Sequence, residues 1–138
     1  MHAERLLKLA QHLETGKLGH DQFDFNYYNA TLDCGTVGCA IGECPTVFPD
    51  DWEIDRHEPV LRGYSSQVQS AMNFFFINRP QYYHLFVPNM QKPSQFGGVD
   101  LDGDATKEQV AANIRAFVTK MPAFYPTVDA LSFPRVGE

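Results

Sequence analysis

Between Ala3 and Thr15 the apolar side chains fall at Leu6, Leu7, Leu9, Ala10 and Leu13, with Glu4, Arg5, Lys8, Gln11 and Glu14 largely on the other side. That spacing predicts an amphipathic helix, and Gly16 supplies its stop. Phe23, Phe25 and Tyr27 then alternate with Asp24 and Asn26, the pattern of a short half-buried strand or an extended lead-in. Trp52 to Asp55 and Val60 to Arg62 pair as a short hairpin around residues 56–59, with Pro59 limiting its ladder. Ser65 and Ser66 are caps for a helix carrying Val68, Ala71, Met72, Phe75 and Phe76, which ends before Asn78-Arg79-Pro80. Pro80 opens a further short helical turn with Tyr82, Tyr83, Leu85 and Phe86. Pro88 to Ala105 is polar and rich in Gly, Pro and Asp, and is expected to be loop. A last helix starts at Thr106, which forms a capping box with Gln109, and runs through Val110, Ile114, Phe117, Val118 and Met121 to Pro122. The remaining residues, 122–138, hold Phe124, Tyr125, Leu131 and Phe133 between prolines and read as an irregular strap across the body.

One stretch departs from both periodicities. Asp33-Cys34-Gly35-Thr36-Val37-Gly38-Cys39-Ala40-Ile41-Gly42 is built of small residues and holds two of the three cysteines. Thr36 is positioned to cap a helix over Val37 to Glu43, ended by Pro45 and Pro49, in which Gly38 and Gly42 leave room for another backbone. The whole pattern predicts one mainly α, α+β domain over residues 1–138, with a central small-residue helix and at most a small sheet or hairpin.

Composition narrows the function classes. A chain of 138 residues with eleven Phe, six Tyr and one Trp can bury a core without disulfide or metal staples. A formal charge of −6 with scattered basic residues argues against nucleic acid as partner. No apolar run approaches the roughly 20 residues of a membrane span, and Met1 to Arg5 lead directly into the first helix instead of a secretory signal. A cytoplasmic protein with reduced thiols is the resulting expectation.

Cys34 carries the one nucleophile hypothesis, because a thiol just before a helix start is pushed toward thiolate by the helix dipole. His57 is the base paired with it in this alternative, with His20 and His84 also available and Asp21, Asp24, Asp33 or Asp55 as orienting carboxylates. The five-residue spacing of Cys34, Cys39 and Cys44 does not match paired Cys-x-x-Cys zinc units. Asp100-Leu101-Asp102-Gly103-Asp104 opens like a calcium loop, but Ala105 replaces its turn glycine and Ala111 its closing glutamate. No metal or cofactor is therefore expected. For binding, Tyr82 and Tyr83 are candidates as rim aromatics, and Asp100, Asp102 and Asp104 as an acidic surface facing a basic one.

The order Phe23-Asp24-Phe25, then Cys34-Gly35-Thr36-Val37-Gly38-Cys39-Ala40-Ile41-Gly42, then Thr106 to Ala111 resembles a family of small uncharacterised bacterial and phage proteins. Its specific part is the Cys-Gly-Thr-x-x-Cys-x-x-Gly core, and Glu43-Cys44 stands where relatives often carry Trp-Ala. The resemblance implies shared origin and fold. Joined to the missing catalytic signature, it leads to the expectation of a non-enzymatic interaction protein, an accessory factor acting on a host protein. The alternative is a cysteine-dependent hydrolase or transferase using Cys34.

Overall fold

The structure, a computed structural model, describes residues 1–19, 22–23, 25, 30–32, 35–56 and 58–121. It is a single α+β fold, mainly α. Helix α1 (Ala3–Thr15) starts at His2, whose ring accepts the Arg5 N–H at 3.3 Å, and ends where Gly16 N–H donates to His12 O at 2.7 Å. Its stripe of Leu6, Leu9, Ala10 and Leu13 is completely buried. The major partner of α1 is α6 (Lys107–Lys120), which contributes Val110, Ala111, Ile114 and Phe117 to the same core. The expected capping box is present: Gln109 N donates to Thr106 Oγ1 at 3.1 Å, and Thr106 N to Gln109 Oε1 at 2.8 Å. Two polar stitches fix the register of the pair. Lys107 Nζ donates to Leu13 O at 2.7 Å, and Arg115 makes a two-pronged contact with Glu14 at 2.8 and 2.7 Å.

One flank of α1, through Arg5 and Lys8, meets an aromatic layer. Helix α3 (Gln67–Phe75), capped by Ser66, buries Phe74 and Phe75, and Phe48 and Trp52 pack edge-on against Phe74 with centroids 4.7 and 5.6 Å away. Such offset geometries suit the ring quadrupoles. The hairpin β4 (Trp52–Asp55) and β5 (Glu58–Leu61) pairs Ile54 with Pro59 and Trp52 with Leu61. Leu61 N–H turns away from β4 to Ser70 Oγ at 3.0 Å. Pro59, two residues earlier, has the same orientation, so its missing N–H removes no bond of the ladder. Helix α4 (Arg79–Phe86) opens on an Asn78–Gln81 capping box, with Pro80 in its first turn where no N–H is required.

The small-residue segment differs from the expected helix. Gly35–Gly38 is strand β3, set between β1 (Gln22–Phe23, parallel) and β2 (Ala30–Leu32, antiparallel), with Gly38 opposite Phe23. Glycines at 35 and 38 and β-branched Thr36 and Val37 are poor helix formers and accept an extended backbone. Helical structure begins only at Ile41, as a 3₁₀ turn (Ile41–Glu43) running into α2 (Cys44–Val47). The segment is nonetheless central: Ala40, Ile41, Gly42, Glu43 and Cys44 are all buried.

The polar stretch after Pro88 is tied down from inside. A short helix α5 (Pro93–Phe96) interrupts it, and Leu101 and Ala105 are buried. Asn113 of α6 grips the backbone of Val99 through both ends of its carboxamide, accepting N–H at 2.9 Å and donating to the carbonyl at 2.8 Å. Gly98, at φ +76°, permits that approach, since a Cβ there would overlap the Asn113 carboxamide. The strap expected over 122–138 lies outside the described residues.

Candidate functional site

A carboxylate in the middle of a core has to find donors, because water cannot reach it. Glu43 is 0% exposed, in the 3₁₀ turn that follows the small-residue strand. Its Oε1 accepts the Gly19 N–H at 2.7 Å and lies 2.8 Å from His12 Nε2. At that distance the carboxyl oxygen and the ring nitrogen share a hydrogen bond. Two glycines make this possible. A Cβ at Gly16 would overlap the His12 ring and one at Gly19 would overlap the Thr46 hydroxyl, so the turn after α1 closes over Glu43 only without side chains there.

The outer face of this constellation is a groove of about 340 Å³ between α1 and α2, lined by Lys8, Gln11, His12, Thr15, Thr46 and Val47. A second groove of about 350 Å³ continues along α1 past His2, Glu4 and Arg5 to Phe48, Asp51 and Phe74. Lys8 lines both. Its ammonium stands 5.4 Å from the centre of the Phe48 ring, and the Arg5 guanidinium 4.2 Å from that of Phe74. Arg5 also donates to Phe74 O at 2.8 Å. The two cations, nearly one turn apart on α1, thus rest on an aromatic floor.

The sulfur chemistry is closed off in the described part of the chain. Cys39 and Cys44 are free and buried; burial pushes the Cys39 thiol up to about 11 and raises Cys44 well above the usual range. Neither is a nucleophile at neutral pH. Cys34 and His57 lie outside the described residues. The reason given for activating Cys34 falls nevertheless, because the chain at Gly35–Gly38 is strand and no helix starts at Thr36. Among the described residues no three His, Cys, Asp or Glu side chains come together as a metal-binding group, and no helix is long and apolar enough to cross a membrane.

Tyr82 is corrected from rim to core. It is buried, its hydroxyl is bonded to Gln67 Nε2, and its ring packs on Phe86 and Tyr83 with centroids 5.6 and 5.8 Å away. Tyr83 is half-buried at the edge of the same cluster. Asp100, Asp102 and Asp104 are exposed, and Asp102 Oδ1 accepts the Asp104 N–H at 2.8 Å while its carbonyl accepts Ala105 N–H at 3.1 Å. This is a turn delivering the chain to the α6 cap.

His12 and Glu43 were not among the residues singled out by pattern. The available signal was Glu43 itself, a charge inside Cys-Ala-Ile-Gly-Glu-Cys, which must be paired if that segment is buried. A second buried histidine is structural. His84 Nδ1 accepts the Lys92 N–H at 2.9 Å, and its ring packs between Phe96 and Phe117 at 5.2 and 6.3 Å. Burial lowers its pKa below the ordinary histidine value. The folded state therefore prefers the neutral ring, so this contribution is complete above about pH 6.5 and declines as pH falls below it. Denaturation midpoints are expected to drop between pH 7.5 and 5.5. The drop should shrink in His84→Asn, which keeps an acceptor near Nδ1 but does not titrate; an unchanged slope would remove His84 as its source.

Compared with family models, curated proteins and solved structures, the chain has no significant match.

Proposed function

We propose that this protein acts by binding another protein and does not itself catalyse a reaction. The observation that carries this reading is the long open trough on the α1 face, two grooves joined at Lys8 with Phe48 and Phe74 beneath. A row of shallow depressions over an aromatic floor, with a polar rim, suits side chains presented by a partner surface. The described thiols are buried and the helix-start argument for Cys34 is gone, which leaves the cysteine-enzyme alternative without its activating device. The exposed turn of Asp100, Asp102 and Asp104 supplies a second, acidic surface of opposite character. Following the motif resemblance, the partner under this reading is a host protein in a bacterial cytoplasm.

A photo-crosslinking residue at Gln11 tests it, with one at Ile54 on the hairpin as control, followed by reconstitution with the purified captured protein. Saturable binding that survives Cys34→Ser and falls in Lys8→Glu supports the reading. Binding lost in Cys34→Ser with the fold intact, together with rapid iodoacetamide labelling of Cys34, would replace it with the cysteine enzyme.

A further inference from the structure

We propose that the half of the trough between Lys8 and His12 receives an acidic side chain, Asp or Glu, of the protein partner; this rests on the interaction reading above. The two halves differ in charge. The groove toward the start of α1 mixes Arg5 and Lys8 with Glu4 and Asp51, whereas the groove toward its end has Lys8 and, among the described residues, no acidic lining residue. There Gln11 and Thr46 add neutral donors, both exposed. Among the described residues Lys8 has no ion-pair partner; its ammonium lies over the face of Phe48, which restrains it at the lip where the two grooves meet.

The acid that this groove lacks on its surface lies behind it. Glu43 Oε1 accepts the Gly19 N–H and is hydrogen-bonded to His12 Nε2, so the carboxyl group that holds the groove wall in place is sealed from solvent and does not compete for Lys8. Gly16 and Gly19 let the turn lie close to the ring and to Thr46, where a Cβ would overlap them. In a chain of net charge −6 a locally cationic, donor-lined groove runs against the average, and it is complementary to a carboxylate. A lysine or arginine of a partner would meet Lys8 as a like charge.

The test uses the full chain, labelled with ¹⁵N, and three blocked probes: penta-glutamate, penta-glutamine and penta-lysine. Penta-glutamate should give saturable amide shifts at Gln11, His12, Thr46 and Val47 that weaken with added salt, and the other two should not. Lys8→Glu, at an exposed position without side-chain hydrogen bonds among the described residues, should leave the rest of the spectrum in place and weaken penta-glutamate binding roughly tenfold or more, the scale of one charge-assisted contact. No saturable shift, equal response to penta-lysine, or an affinity unchanged by Lys8→Glu overturns the proposal. If the reconstituted partner still binds when penta-glutamate does not, the acidic anchor is wrong and the interaction reading stands. If crosslinking at Gln11 yields no reconstitutable partner, both fall.

Discussion

Glu43→Ala should lower the free energy of unfolding by about 3 kcal/mol, the lower end of the cost of breaking a buried ionisable pair by removing one member, since Glu43 is buried and His12 only partly so. The size follows from what remains. Gly19 N–H and His12 Nε2 both lose the single oxygen they share. A void also opens beneath the 3₁₀ turn, next to Ile41 and Cys44, which are themselves completely buried. Glu43→Gln separates these effects, because an amide oxygen placed where Oε1 stands can accept both bonds. It should cost clearly less than alanine. Urea denaturation of the wild type and both variants measures the difference, and an alanine variant within about 1 kcal/mol of wild type, a typical surface-scale loss, would show that the pair does not hold α1 to the central segment.

How much of this could be read from the chain depended on whether the deciding interaction was local. The caps of α3 and α6 lie within three residues of their helix starts, and Ser66 and Thr106 both occupy the positions that local chemistry requires. The hairpin was legible from Trp52 and Leu61 flanking a polar turn. The small-residue segment was not, since its state is set by β1 and β2, which pair with Gly35–Gly38 from elsewhere in the chain, and two glycines give a helix little to oppose them. The site failed for the same reason. His12 lies on the polar edge of an amphipathic helix, and only a partner 31 residues away makes it more than surface. Tyr82 illustrates the converse: its hydroxyl suggested a wet rim, but Gln67 of α3 meets it inside. The stretch after Pro88 was legible as irregular, yet not as fixed, because its anchors Asn113 and Phe117 belong to the following helix.

That anchoring leads to the second large effect. Phe117→Ala should destabilise the fold by about 3–5 kcal/mol, the range for deleting a large buried ring. Phe117 is completely buried on α6, the helix against which α1 packs, and its ring also faces His84 at 6.3 Å and Phe96 at 5.9 Å. It is the point where the helical core and the pinned loop share one side chain. The loss should therefore be uneven. Backbone amides at Lys92, bonded to His84 Nδ1, and at Val99, bonded to Asn113 Oδ1, should exchange with solvent disproportionately faster, because α5 loses the surface on which Phe96 rests. Phe117→Leu, which keeps most of the apolar volume, should cost under about 1.5 kcal/mol and leave those two amides protected. Hydrogen exchange that accelerates equally throughout α1, α3 and α6, with Lys92 and Val99 no faster than the rest, would mean that the loop is held by its own hydrogen bonds and not by the ring beneath it.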